Sequence, residues 1–154
     1  MRRRVEGFHQ DDEGDWVAEL SCLHGQHVRH RPPFFDRAWV LDESQRRARV
    51  GTELECPLCD RAELPEGLHV ARIAGPFDSE TLPEGLRQTH RVAEHTWGLL
   101  RVRRGTARLE LETDPPLRAR LEPGEEQPIP PGVAHRLSLE MGAEVTIEFL
   151  VATD

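Results

Sequence analysis

Residues Pro123–Leu137 read PGEEQPIPPGVAHRL, and this stretch decides the fold. It lies between two alternating runs, Leu117–Leu121 and Val145–Val151. A Pro-Gly turn opens it, four prolines stiffen it, and one histidine, His135, stands just past a second Pro-Gly pair. Proline fixes φ, so the segment has little conformational freedom to lose on folding. It can hold a single side chain at the mouth of a β-structure. That suits a metal-ligating or catalytic histidine, and it equally suits a rigid surface turn.

Outward from this stretch the pattern is one of short strands. In Trp97–Val102, Gly98, Leu100 and Val102 share a face, and Arg103-Arg-Gly105 is a turn. Ala107, Leu109 and Leu111 then alternate with Arg108, Glu110 and Glu112. Leu117, Ala119 and Leu121 alternate with Arg118, Arg120 and Glu122, and Val145, Ile147 and Phe149 flank Glu148. This period of two is that of half-buried strands. Leu68–Ile73 is a further candidate strand, and Phe77–Pro83 reads as a connection. No long helical period appears, so the expected class is mainly β, a sandwich or barrel. Ala62–Gly67 reads as a Pro/Gly linker, which sets the expected domains at 1–61 and 62–154.

The first domain opens with two extended pieces, Val5–Phe8 and Trp16–Leu20, around a turn-rich acidic loop. The second piece is expected to run straight on through Cys22 and His24. Pro32-Pro33 stops the ladder, and Asp42 or Ser44 caps a short helix over Gln45–Val50. Cys56-Pro-Leu-Cys59 closes the segment. A CxxC turn aims two thiolates at one point about 4 Å apart, and Cys22 with a nearby histidine supplies a second half-site. Together they make a Cys₃His set suited to Zn²⁺. His24 is the favoured fourth ligand, on the strand face of Cys22, and His27 is the alternative if the chain turns at Gly25. No helix N-terminus is expected after Cys56, and no βαβ pattern surrounds it, which speaks against a redox CxxC.

Hydrophobic content is 37% and charged content 31%, so a small domain here calls for a staple such as a metal. The three cysteines fit that use better than a disulfide framework. The formal charge is −8, which argues against a general phosphate-backbone binder. All 20 basic residues are arginines. His27, Arg29, His30 and Arg31 lie near Phe34, Phe35 and Trp39, the ingredients of an anion or nucleic-acid patch. The favoured reading is instead a small aromatic core with solvated arginines. No apolar run is long enough to cross a membrane, and no signal peptide is recognisable, so a cytoplasmic location is expected.

Two resemblances add to this. GFHQDDEGDWVAELSCLHGQHVRHRPP, RAWVL and ELECPLCDR, within residues 2–61, resemble a small bacterial family of unknown function. That likeness implies a metal-stapled domain and no activity. Gly124, Pro130, Gly132 and His135 have the spacing of the second cupin motif, with Leu139 where asparagine is usual. The first motif is degraded: there is no His-x-His, Gly98 stands near the expected glutamate, and only Gly105 keeps its place. Leu82–Leu86, His90, Thr96–Gly98, RRGTARLEL, Pro131–Arg136 and Ile147–Phe149 are similar to a cupin-like family related to tellurite resistance proteins. In some members such a domain precedes a methyltransferase. No glycine-rich S-adenosylmethionine loop exists here, so that activity does not transfer.

The resemblance implies a double-stranded β-helix whose mouth holds a divalent metal (Zn²⁺, Fe²⁺ or Ni²⁺) on His90, His135 and Glu148. His95 is a weaker candidate, and His9, His69, Arg101 and Arg136 read as surface. The expected fold is thus a zinc-ribbon-like domain joined to a cupin-like barrel. The expected role is a metal-binding protein for a small or oxyanion ligand in metal or oxyanion stress, non-enzymatic or weakly enzymatic, and the cupin resemblance implies a homodimer. A metal-dependent dioxygenase or isomerase and a nucleic-acid-binding adaptor are the alternatives.

Overall fold

The strand Trp16–Leu20 buries Val17, Ala18 and Leu20 and exposes Glu19, and it becomes one of the two inner strands of the first sheet. A computed structural model describes residues 1–153. The chain divides into two compact units, Met1–Pro57 and Leu58–Asp154. In the first, strands β1 (Arg2–Gln10), β2 (Trp16–Leu20), β3 (Gly25–His27) and β4 (Glu53–Glu55) form one sheet in the order β3-β2-β1-β4. Phe8 pairs with Ala18, and Ala18 with Gln26, so these three residues form a row across three strands. The chain does not run straight on past Leu20, as the sequence suggests. It turns at Ser21–His24 and comes back as β3. A 3₁₀ turn, Ala38–Leu41, leads into helix α1 (Glu43–Arg47), where Asp42 accepts a hydrogen bond from the Gln45 amide at 2.9 Å.

The buried aliphatic set of this unit is short: Val5, Val17, Ala18, Leu20, Val28 and Val40. The expected aromatic core is not there. Phe34 is 86% and Phe35 52% exposed, on the turn after Pro32-Pro33. Trp39 packs edge-on against Phe8, ring centroids 5.9 Å apart. The arginines are not simply solvated either, since Arg29 and Arg31 both bind Asp15.

The second unit begins with helix α2 (Pro57–Asp60) and continues through β5 (Leu68–Asp78), α3 (Glu84–Arg87), β6 (His90–Arg91), β7 (Trp97–Arg104), β8 (Ala107–Leu111), β9 (Leu117–Leu121), β10 (Glu126–Ile129), β11 (Ala134–Leu139) and β12 (Glu144–Ala152). Two four-stranded antiparallel sheets result, ordered β10-β7-β12-β5 and β6-β11-β8-β9. This is a mainly β, cupin-like barrel. Its core is Trp97, Leu100, Leu109, Leu111, Leu137 and Val145. The proline-rich stretch holds more than a turn: β10 lies inside it and pairs with β7. Pro128 is tolerated there because β10 is an edge strand, where a missing N–H breaks no inner ladder. β5 is the other edge, longer than expected, and exposed along most of its length. No helix among the described residues is long and apolar enough to cross a membrane.

Gly105 closes the β7–β8 hairpin at φ +64, where a Cβ would lie 2.6 Å from Ala143 Cα. Gly124 has φ +88 with nothing within 4 Å. Gly124→Ala therefore pays only the left-handed backbone term, about 1–2 kcal/mol. Gly105→Ala adds a backbone clash, and its loss in urea unfolding is expected to be at least about twice as large. Equal losses would show that the hairpin relaxes freely.

Candidate metal centre and barrel pocket

The turn between β2 and β3 is built around Leu23 at φ +70. Leu23 N–H donates to the Leu20 carbonyl at 2.7 Å, and Leu20 N–H donates to the His24 carbonyl at 3.0 Å. The turn brings Cys22 and His24 to one side, both buried. From the other end of the unit, Cys56 N–H donates to the Met1 carbonyl at 2.7 Å, and Cys59 follows one helical turn later. Cys22, His24, Cys56 and Cys59 offer ligand atoms that all lie within 4.8 Å of one another. His24 thus reaches the thiols through a tight turn, not through a continuing strand face. His27 does not reach them: its Nε2 meets Asp11 at 2.8 Å. Contrary to expectation, a short helix, α2, does follow Cys56. A third thiol and an imidazole beside the CxxC still set the cluster apart from a redox dithiol.

The distances fit a metal. Two thiolates bound tetrahedrally at about 2.3 Å lie about 3.8 Å apart, and a thiolate–imidazole edge is about 3.5 Å. Cys22 Sγ and Cys56 Sγ are 3.8 Å apart, and His24 Nδ1 is 3.4 Å from each. Burial opposes a charge on His24, but its bonds to Cys22 and Cys56 outweigh that and raise the imidazole to about 9.

In the barrel, register sets His90 on β6 directly opposite His135 on β11, with ring centroids 4.1 Å apart. His90 Nδ1 lies 3.0 Å from the Gln88 carbonyl and His135 Nδ1 lies 2.8 Å from the Val133 carbonyl. A carbonyl only accepts, so each Nδ1 carries a proton, which in a neutral ring leaves Nε2 with its lone pair. The rings help line a cavity of about 60 Å³ whose other walls include Leu86, Leu100, Leu109, Ile129 and Phe149. Burial lowers His135 to about 4; its bond to Val133 opposes this and the neighbouring His90 adds to it.

Glu148 does not join the histidines. Ile147 and Phe149 face this cavity, while Glu148 points to the opposite side of β12 and binds Arg101 at 2.9 Å. Gly98 explains the absent glutamate: a Cβ there would sit 3.2 Å from Ile129 Cβ and 3.4 Å from Val92. Among the described residues, the Cys/His cluster is the group of three or more potential ligands that converges. The barrel residues therefore do not fit the metal set expected of a cupin. His95 is on an exposed turn at φ +59, and His9 binds Glu19 at 2.8 Å. Sequence reasoning also missed a second cavity, between Phe8, Gln26, Arg37, Trp39 and Arg49, because it joins two strands to the 3₁₀ turn and the segment after α1, which only the tertiary fold brings together.

Comparison with known proteins agrees with this division. Residues 6–63 match a family described as a protein of unknown function (DUF3565), and residues 74–148 match the TehB-like domain. A protein from E. coli of known structure is 19% identical with a TM-score of 0.54, covering 60% of this chain and 98% of its own. TehB from Haemophilus influenzae is 21% identical with a TM-score of 0.51, covering 56% of this chain. The match spans only 32% of TehB. These likenesses show the fold. No curated protein matches in sequence.

The His135 value sets a pH dependence. Its folded pKa of about 4 lies below the usual 6.5, so the unfolded chain binds the extra proton first. The stability contribution is full above pH 6.5 and is lost as pH falls from 6.5 towards 4. Thermal melts across this range are expected to show that decline, and His135→Gln is expected to flatten it. An unchanged slope in the variant would contradict the assignment.

Proposed function

We propose that the chain is a zinc-stapled, cupin-like binding protein whose barrel takes a small neutral ligand. Zn²⁺ is the cation best suited to three thiolates and one imidazole in a closed, buried, four-ligand set. It fills all four positions, so its role is structural and it leaves no open position for chemistry. The barrel reading rests on one observation: both Nδ1–H groups are spent on carbonyls and both rings line the cavity, so the Nε2 of each neutral imidazole is left as an acceptor for a ligand. A ligand with hydroxyl or N–H donors complements them. A cavity of about 60 Å³ is well below the roughly 150 Å³ that admits benzene, which limits the ligand to a few non-hydrogen atoms. An oxyanion is a poor match, because His135 stays neutral down to about pH 4 and the walls are apolar.

A metal-dependent cupin enzyme is the second reading, favoured by the same pair of Nε2 atoms. It lacks a third ligand, since Glu148 is turned away and position 98 has no side chain. Elemental analysis separates the two. One zinc per chain is expected, lost in Cys56→Ser with unfolding of residues 1–57, and retained in His135→Ala. A second metal that disappears in His135→Ala would establish the enzyme-type site instead. Acetamide is expected to raise the melting temperature of the native protein and not of His135→Phe. Stabilisation by selenite without any by acetamide would overturn the neutral-ligand reading.

A further inference from the structure

The row Phe8–Ala18–Gln26 crosses three strands of the first sheet. Residues directly opposite in antiparallel strands share a face, so Phe8 and Gln26 stand on the same side of the sheet with Ala18 between them. Phe8 and Gln26 line a cavity of about 320 Å³, walled also by Arg37, Trp39 and Arg49 together with Val5, Val28, Thr52 and Leu54. Its size is at the lower end for sites that bury small organic ligands, roughly 300–1,000 Å³.

Three features of this cavity ask for a partner. Gln26 Oε1 is buried and accepts no hydrogen bond. A buried acceptor left unmade costs about 1–3 kcal/mol, so a side-chain rotation that brings this oxygen out to a donor on a ligand is favoured. Arg37 and Arg49 are half-buried, and among the described residues neither forms an ion pair. By contrast, Arg29 and Arg31 share Asp15, and Arg47 binds Glu43. The Arg49 guanidinium lies over the Trp39 ring at 4.1 Å, which orients its fork of donors. Phe8 and Trp39, edge to face, supply aromatic walls.

A hydrogen-bond acceptor, two unneutralised guanidiniums and two aromatic rings in one cavity define a ligand chemistry. We propose that this cavity binds a nucleoside monophosphate. The base lies against Phe8 and Trp39, an exocyclic amino group donates to Gln26 Oε1, and the phosphate takes Arg37 and Arg49. Aromatic rings and arginines are the groups that hold bases and phosphates elsewhere. The inference is independent of the barrel, because every residue named lies in residues 1–57. It also differs from a nucleic-acid surface: Arg29 and Arg31 share the carboxylate of Asp15, which leaves that pair one net positive charge instead of two.

The test uses full-length, metal-loaded protein, titration calorimetry and tryptophan fluorescence, with AMP as probe. AMP is expected to bind one per chain, with adenosine and inorganic phosphate each at least about tenfold weaker, because each engages half of the site. Gln26→Leu and the pair Arg37→Gln with Arg49→Gln are each expected to lose about tenfold or more. His135→Phe, in the barrel, should bind AMP as the native protein does. Metal content and far-UV circular dichroism confirm that each variant is folded. No heat and no fluorescence change at millimolar AMP would overturn the proposal. So would unchanged affinity in the folded arginine variant, or binding of a short oligo(dA) without binding of AMP.

Discussion

The first unit depends on Cys22, His24 and Cys56, whose ligand atoms and that of Cys59 all lie within 4.8 Å of one another. Its four short strands bury few aliphatic side chains, too few to offset the ordering of more than fifty residues by the hydrophobic effect alone. A metal adds what the core lacks, because free energy of binding at a site absent from the unfolded chain is free energy of folding. The effect is local as well as global. Cys22 and His24 pin the turn between β2 and β3, and Gln26 stands two residues further on. Whatever holds the thiols therefore also holds Gln26 in line with Ala18 and Phe8.

The barrel solves the same problem in the opposite way. It packs Trp97, Leu100, Leu109, Leu111, Leu137 and Val145 into a continuous core. The place where a cupin metal ligand would project is taken by the contact of Gly98 with Ile129 and Val92. What survives of a polar centre is two imidazoles, each fixed by one backbone carbonyl, in an otherwise apolar cavity. One unit has ligands and little core, and the other has core and an incomplete ligand set.

Much of this was legible in the sequence because strand alternation and ligand chemistry are local. The β7–β8 hairpin with Gly105, the strand Leu117–Leu121 and the fold class follow from a period of two and from glycine at positive φ. The Cys-x-His and CxxC spacings brought the right atoms into consideration. Their geometry was hidden, since a leucine, not a glycine, takes the left-handed position in the turn that presents His24. Glu148 was misassigned against its own pattern: a residue between Ile147 and Phe149 cannot share their cavity. The pairing of Asp15 with Arg29 and Arg31, and the row across β1, β2 and β3, depend on register, which no single segment encodes.

The long edge strand β5 bears on how such a chain avoids sticking to copies of itself. It carries exposed Val70 and Ile73, the kind of open rim on which foreign strands add and fibres start. Its ladder with β12 is interrupted by two register shifts, one between Val145 and Ile147 and one between Phe149 and Leu150. Gly75, at φ +100, departs from strand geometry, and Pro76 lacks an N–H. An incoming backbone finds only two short regular pieces, Leu68–Val70 and Arg72–Ala74, with the guanidinium of Arg72 laid across Phe149. Irregularity that looks like poor strand design thus works as a guard against intermolecular growth, and replacing it with an ideal strand would trade solubility for neatness.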